Sequence, residues 1–133
     1  MPRPEPPRPT AAELSILQVL WHCGPSTVRE VHEQLGARAG TGYTTTLKLL
    51  QIMSEKGLAE RDESRRAHVY RAAVAEEPTQ RRLVRDLLDR AFAGSAAKLV
   101  VRALSERPAS EDEMAEIRRL VEEIEARGPE GGR

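Results

Sequence analysis

Between Tyr43 and Leu58 the chain reads Tyr43-Thr44-Thr45-Thr46-Leu47-Lys48-Leu49-Leu50-Gln51-Ile52-Met53-Ser54-Glu55-Lys56-Gly57-Leu58. Its front carries hydroxyls, an ammonium one turn further on and a carboxamide at Gln51. Such groups at the start of a helix can meet phosphates or base edges, because the first backbone amides are unpaired there and the dipole favours anions. Lys48 can reach a phosphate or guanine, and Gln51 can donate and accept at adenine. Each residue also has a plainer reading. Thr46, three and four residues before Leu49 and Leu50, is expected to pack inward. Lys48 and Gln51 can simply be solvated. Beyond Gly57, Arg65 and Arg66 lie in a polar turn, placed to touch phosphates or a minor groove; Asp62 and Glu63 partly offset them. Tyr43, Tyr70 and Trp21 suit core or edge packing better than base stacking.

Catalytic chemistry finds little support. The chain has no phosphate-cradling P-loop, no G-x-S-x-G turn and no H-E-x-x-H motif. Cys23 follows His22, but no cluster of ligands accompanies them, with His32 the only other nearby candidate. Cys23 is expected to be a small, partly buried residue. The reading is of a binding protein, not an enzyme, with no cofactor and no metal.

The elements that must position these groups follow from capping signals and periodicity. Met1–Pro9 holds five of the nine prolines and reads as a disordered arm, with Arg3 and Arg8 as candidates for touching DNA. Thr10 with Glu13 forms a capping box ahead of a helix carrying Leu14, Leu17, Val19, Leu20 and Trp21, ended by Gly24-Pro25. Thr27 with Glu30 forms a second box before a short helix with Val28, Val31 and Leu35. A loop with three glycines leads to the helix from Tyr43, which Gly57 stops. Alternation then replaces helical spacing. Leu58–Arg61 and His68–Arg71 read as two strands flanking a turn at 62–66. Three helices and a hairpin, in that order, make a winged helix-turn-helix.

After Pro78 the helical pattern returns. Leu83, Val84, Leu87, Leu88, Ala91 and Phe92 form one stripe. Gly94-Ser95 breaks it, and Ser95 caps a helix with Leu99, Val100, Ala103 and Leu104. Ser110 with Glu113 makes a third capping box, before Met114, Ile117, Leu120, Val121 and Ile124. Three such thin helices leave apolar stripes exposed on a lone chain. A second copy would bury them, at about 25 cal/mol per Å². The expected organisation is an arm over 1–9, a winged-helix domain over 10–77, a helical dimerisation domain over 78–127 and a flexible tail over 128–133. Leu83, Leu87, Leu88, Phe92, Leu99, Leu104, Ile117, Leu120, Val121 and Ile124 are the expected dimer contacts. The fold class is mostly α.

Composition agrees. At 133 residues, 39% hydrophobic but only 3% aromatic, the core must come from aliphatic side chains. Lys+Arg and Asp+Glu are both 21, so net charge carries no sign of a polyanionic partner. Distribution says more. Residues 38–71 hold seven basic and four acidic side chains, and residues 106–130 hold four basic and nine acidic. One face can approach phosphate while another stays away. A single cysteine excludes an intramolecular disulfide, and no apolar run spans a bilayer or resembles a signal peptide, so a cytoplasmic protein is expected.

The run Glu13-Leu14, Val19-Leu20-Trp21, Gly24 to Val31, Tyr43-Thr44-Thr45, Glu55-Lys56-Gly57-Leu58, Arg66 and Val69-Tyr70 resembles the penicillinase-repressor family of BlaI/MecI type, as does Arg90 to Ser95 followed by Leu99-Val100. The resemblance extends from about Thr10 to about Ala126. It implies a dimeric winged-helix repressor on dyad-symmetric double-stranded operator DNA. Tyr43, Thr44, Thr45 and Lys48 would lie on the recognition helix, and Arg65 and Arg66 in the wing. It also implies control of β-lactamase or penicillin-binding-protein genes, and a membrane sensor-protease partner that cuts the dimerisation region. Two features depart from the pattern. Cleaved members carry an Asn-Phe dipeptide where this chain reads Gly94-Ser95-Ala96-Ala97-Lys98, and no asparagine occurs anywhere. The cysteine-rich C-terminal motif of copper-responsive relatives is absent. Two alternatives to the repressor stay open at this point: a helical adaptor that binds a protein, and a redox- or metal-sensing regulator built on Cys23.

Overall fold

A computed structural model describes residues 6–36, 40 and 42–128. Contacts divide the chain into two compact units, the first ending at Arg82 and the second beginning at Leu83.

The first unit opens with Pro6–Pro9, which has no regular secondary structure. Arg82 Nη1 donates to the Pro6 carbonyl at 2.7 Å, so this part of the expected arm is tied down. Residues 1–5, and with them Arg3, lie outside the described residues. Helix α1 spans Ala11–Cys23, and its capping box is complete: Glu13 N–H donates to Thr10 Oγ1 at 3.2 Å, and Thr10 N–H to Glu13 Oε1 at 2.8 Å. Strand β1, Ser26–Thr27, runs directly into α2, Val28–Leu35. Thr27 belongs to both. Its extended backbone (φ −75°, ψ 165°) pairs with a strand while its hydroxyl accepts the Glu30 amide.

Helix α3 spans Tyr43–Lys56 and ends as the glycine requires. Gly57 is left-handed at φ 84°, Leu58 N–H bonds the Met53 carbonyl at 2.8 Å, and Gly57 N–H the Ser54 carbonyl at 3.3 Å, a Schellman closure. Met53 and Leu58 are both buried, completing its hydrophobic contact. Strands β2, Ala59–Asp62, and β3, Val69–Ala72, pair antiparallel with Arg61 opposite Tyr70. Both strands sit one residue later than expected; β2 begins at Ala59 because the Leu58 amide is held by the helix closure. The sheet has three strands, not two, in the order β1-β3-β2, with Ser26 opposite Tyr70.

The core joins Ile16, Leu17 and Leu20 of α1, Val28 and Val31 of α2, Leu50 and Met53 of α3, then Leu58, Ala59 and Tyr70. Ile16, outside the expected stripe, is fully buried, and Glu13 is buried beside it. The stripe runs 13, 16, 17, 20, one turn earlier than the aliphatic residues alone suggested. Cys23, expected to be partly buried, is exposed, since α1 ends there and the core does not extend past Leu20. Trp21 and Tyr70 pack as expected: Trp21 Nε1 donates to the Val74 carbonyl at 2.9 Å. Tyr70 Oη is the buried side-chain polar atom without a hydrogen-bond partner among the described residues. A buried unmet hydroxyl costs roughly 1–3 kcal/mol. Tyr70→Phe is therefore expected to match or exceed the parent in stability by about 1 kcal/mol, measured by urea unfolding. A loss of that size would mean the hydroxyl has a partner.

Helix α4, Glu76–Ala91, starts two residues before Pro78, whose missing N–H is tolerated in the first turn. It continues from the first unit into the second. Ala93 (φ 48°) and Gly94 (φ 80°) are both left-handed and turn the chain into α5, Ala96–Glu106, which Ser95 caps through the Lys98 amide at 3.1 Å. Helix α6 spans Glu111–Arg127. Ser110 accepts the Glu113 amide at 3.1 Å, but Glu113 makes no return bond, so the expected third box is a single cap. No residue of α4, α5 or α6 is buried. Of the expected flexible tail, only Gly128 lies within the described residues. Among the described residues no helix is long and apolar enough to cross a membrane.

Candidate nucleic-acid interface

Helix α3 sorts its side chains by angle. At about 100° per residue, Thr46, Leu50 and Met53 share the stripe that is buried. Thr44, Lys48 and Gln51 share the opposite stripe, and all three are exposed, as is Thr45 on its flank. Glu55 continues that polar stripe one turn beyond Gln51, so any face for a polyanion is confined to the first turns. Thr46 is the inward threonine expected from its spacing. Its Oγ1 donates to the Gly42 carbonyl at 3.4 Å and lies 3.3 Å from His32 Nδ1 on α2. Tyr43 stands edge-to-face on the His32 ring, with centroids 5.8 Å apart, and keeps 46% of its surface exposed. The second helix of the motif thus holds the front of the third through one imidazole.

The ion pairs decide which cations remain available. Of the basic residues in the middle of the sequence, Lys56 reaches back to Glu13 at 2.8 Å, Arg61 pairs with Glu63 at 2.7 Å, and Arg71 pairs with Glu60. Lys48, Arg65 and Arg66 make no ion pair among the described residues, while Arg38 lies outside them. Asp62, counted against the wing arginines, spends its carboxylate on the turn: Ser64 N–H donates to it at 2.9 Å. The Ser64 hydroxyl and amide hold the Asp62 carboxyl below its ordinary value, with a smaller contribution from the Arg65 charge. Arg65 is therefore partly offset, and Arg66 is not.

Helix α2, helix α3 and the wing enclose a concavity of about 480 Å³. Tyr43 and Leu47 line it from α3, Arg66 and His68 from the wing, and Arg29 from α2. The structure thus brings Tyr43 and Arg66 together and adds two residues that sequence reasoning had not selected. A signal for Arg29 was present. It occupies the second position of α2, where the macrodipole disfavours a cation.

Cys23 and His22 line a separate concavity of about 410 Å³ with Gln18 and Gln34. Among the described residues no three side chains are grouped to hold a metal.

A helix-turn-helix with a three-stranded sheet, presenting a polar helix face and exposed arginines in its wing, defines a winged-helix protein. The family model for penicillinase repressors matches residues 9–123, and the chain belongs to that family of transcriptional regulators. It is similar to the transcriptional regulator BlaI of Mycobacterium tuberculosis, in strains CDC 1551 and H37Rv. Each is 32% identical over 115 residues, covering 86% of this chain and 83% of the relative.

Proposed function

We propose that the protein is a homodimeric repressor that binds dyad-symmetric promoter DNA and acts by occupancy, not catalysis. The observation that carries this is the exposed stripe of Thr44, Lys48 and Gln51 set opposite the buried face of α3. Two copies of α3 would enter successive major grooves about 34 Å apart. Tyr43, Thr44, Thr45, Lys48 and Gln51 would read or flank the bases, and Arg65 and Arg66 would hold phosphates. The second copy is the partner that the exposed stripes of α4, α5 and α6 call for. A sensor protease acting near the break between α4 and α5 would meet Gly94-Ser95-Ala96-Ala97-Lys98 in place of an Asn-Phe dipeptide.

Footprinting on the DNA upstream of its own gene tests the reading. Two protected half-sites, weakening steeply with salt, are expected. Thr44→Ala or Thr45→Ala should reduce specific affinity by about 1–3 kcal/mol, the worth of a good base contact. Arg65→Ala with Arg66→Ala should weaken binding to every sequence and lower the salt slope. Absence of protection at low salt would favour a protein-binding adaptor instead.

A further inference from the structure

We infer that the concavity between α2, α3 and the wing is a seat for one DNA backbone phosphate, with Arg29 as its principal cation; this rests on the DNA-binding reading above. Arg29 approaches from α2, and Arg66 and His68 from the wing, so the donors come from elements far apart in sequence. No carboxylate lines the concavity. The nearest acid in sequence, Glu30, is turned back onto the Thr27 amide at 2.9 Å. Arg29, Arg66 and His68 are exposed and make no hydrogen bond or ion pair among the described residues. A cation at the second position of a helix opposes the dipole, and no ion pair among the described residues compensates it there. An external anion would.

The shape selects the kind of anion. Val28, buried, and Leu47, half-buried, add apolar surface to a lining whose arginines are exposed. A phosphodiester with its attached deoxyribose offers the matching surfaces: a charged group for two guanidinium forks and an apolar sugar for the apolar surface. Tyr43 adds a hydroxyl from the front of α3. Because α2, the front of α3 and the wing all line the seat, the bound phosphate would fix the register in which Thr44, Lys48 and Gln51 meet the bases. Arg29 is thus a phosphate contact that sets position and carries no sequence preference of its own.

The test uses the full-length protein and duplexes of the protected upstream region carrying one uncharged methylphosphonate linkage at a time. Arg29→Ala is expected to bind about tenfold more weakly, with the salt slope reduced by about one for each half-site. Arg29→Lys should recover part of the loss. One linkage in each half-site should weaken the parent protein when neutralised and have no further effect on Arg29→Ala. If the parent footprints normally while Arg29→Ala keeps parental affinity and slope, the seat is wrong and the groove-reading helix stands. If every methylphosphonate effect simply adds to that of Arg29→Ala, Arg29 touches no phosphate and the inference falls. If the parent protects no DNA, both readings fall together.

Discussion

Aspartate at both Leu120 and Ile124 should turn the proposed dimer into monomers and reduce operator affinity by roughly 10²–10⁴-fold, the advantage that linking two half-site contacts gives. These side chains are 43% and 53% exposed, with Val121 between them at 48%. Along α6 they extend the stripe of Met114 and Ile117, and no residue of the helix is buried. Burying a Leu or Ile side chain contributes about 1.5–3 kcal/mol. Two such residues from each protomer lose that stabilisation, and four carboxylates would have to be desolvated in addition. Sedimentation equilibrium at micromolar concentration gives the mass, and gel shift with one and two half-sites gives the affinity. The parent should behave as a dimer and the variant as a monomer that still binds a single half-site weakly. A variant that remains dimeric would place the interface elsewhere than on this face of α6.

Lys56→Met should destabilise the first unit by about 1.5–3 kcal/mol at neutral pH, the range for a hydrogen bond to a charged group. Glu13 is 1% exposed, and its second oxygen receives Lys56 Nζ at 2.8 Å. Removing the ammonium leaves that oxygen buried against apolar neighbours. The loss stays below the roughly 3–5 kcal/mol of a fully buried pair because the Lys56 side chain keeps 31% of its surface exposed. Burial alone would raise the Glu13 carboxyl. The Lys56 ammonium, with the Thr10 amide and hydroxyl, outweighs it and holds the group below its ordinary 4.5. A carboxylate so depressed stabilises the fold fully above its unfolded value, and that stabilisation is lost as pH falls through the folded value. The gap between parent and Lys56→Met in urea unfolding should therefore be widest near pH 7 and close as pH falls through the lowered folded value of Glu13. A gap independent of pH would show that Lys56 acts through its methylenes and not its charge.

Much of the winged helix could be read from local signals that survive packing. Thr10 with Glu13, Thr27 with Glu30, and Gly57 each mark a helix end through chemistry confined to a few residues, and all three form the bonds their types imply. Contacts distant in sequence left no such mark. Glu13 was legible as a cap, but its burial and its bond to Lys56, 43 residues away, depend on how α1 crosses α3. The β1 strand was hidden because two residues carry no alternation, and Thr27 was already explained as a cap. The start of β2 slipped by one residue because the helix closure claims the Leu58 amide. At the candidate interface, Thr44, Lys48 and Gln51 were legible as polar residues on a helix otherwise striped for a core. Arg29 left only its place against the α2 dipole as a signal and His68 left none, since only the fold sets α2 beside the wing.

Gly42 precedes α3 without any side-chain cap, although its backbone (φ −78°, ψ 167°) is one that serine or aspartate adopts freely, and a Cβ there would meet nothing within 4 Å. Elsewhere in this chain a hydroxyl fills that role at α1, α2, α5 and α6. At the helix proposed to face DNA the socket is empty. A capping oxygen at position 42 would be a resident competitor, occupying the amides that an incoming phosphate could use. Leaving it out makes the bare protein slightly less stable than it could be, and on the proposed reading bound DNA would relieve that deficit. By mass action, a ligand that fills donors the fold leaves open stabilises the folded form as it binds.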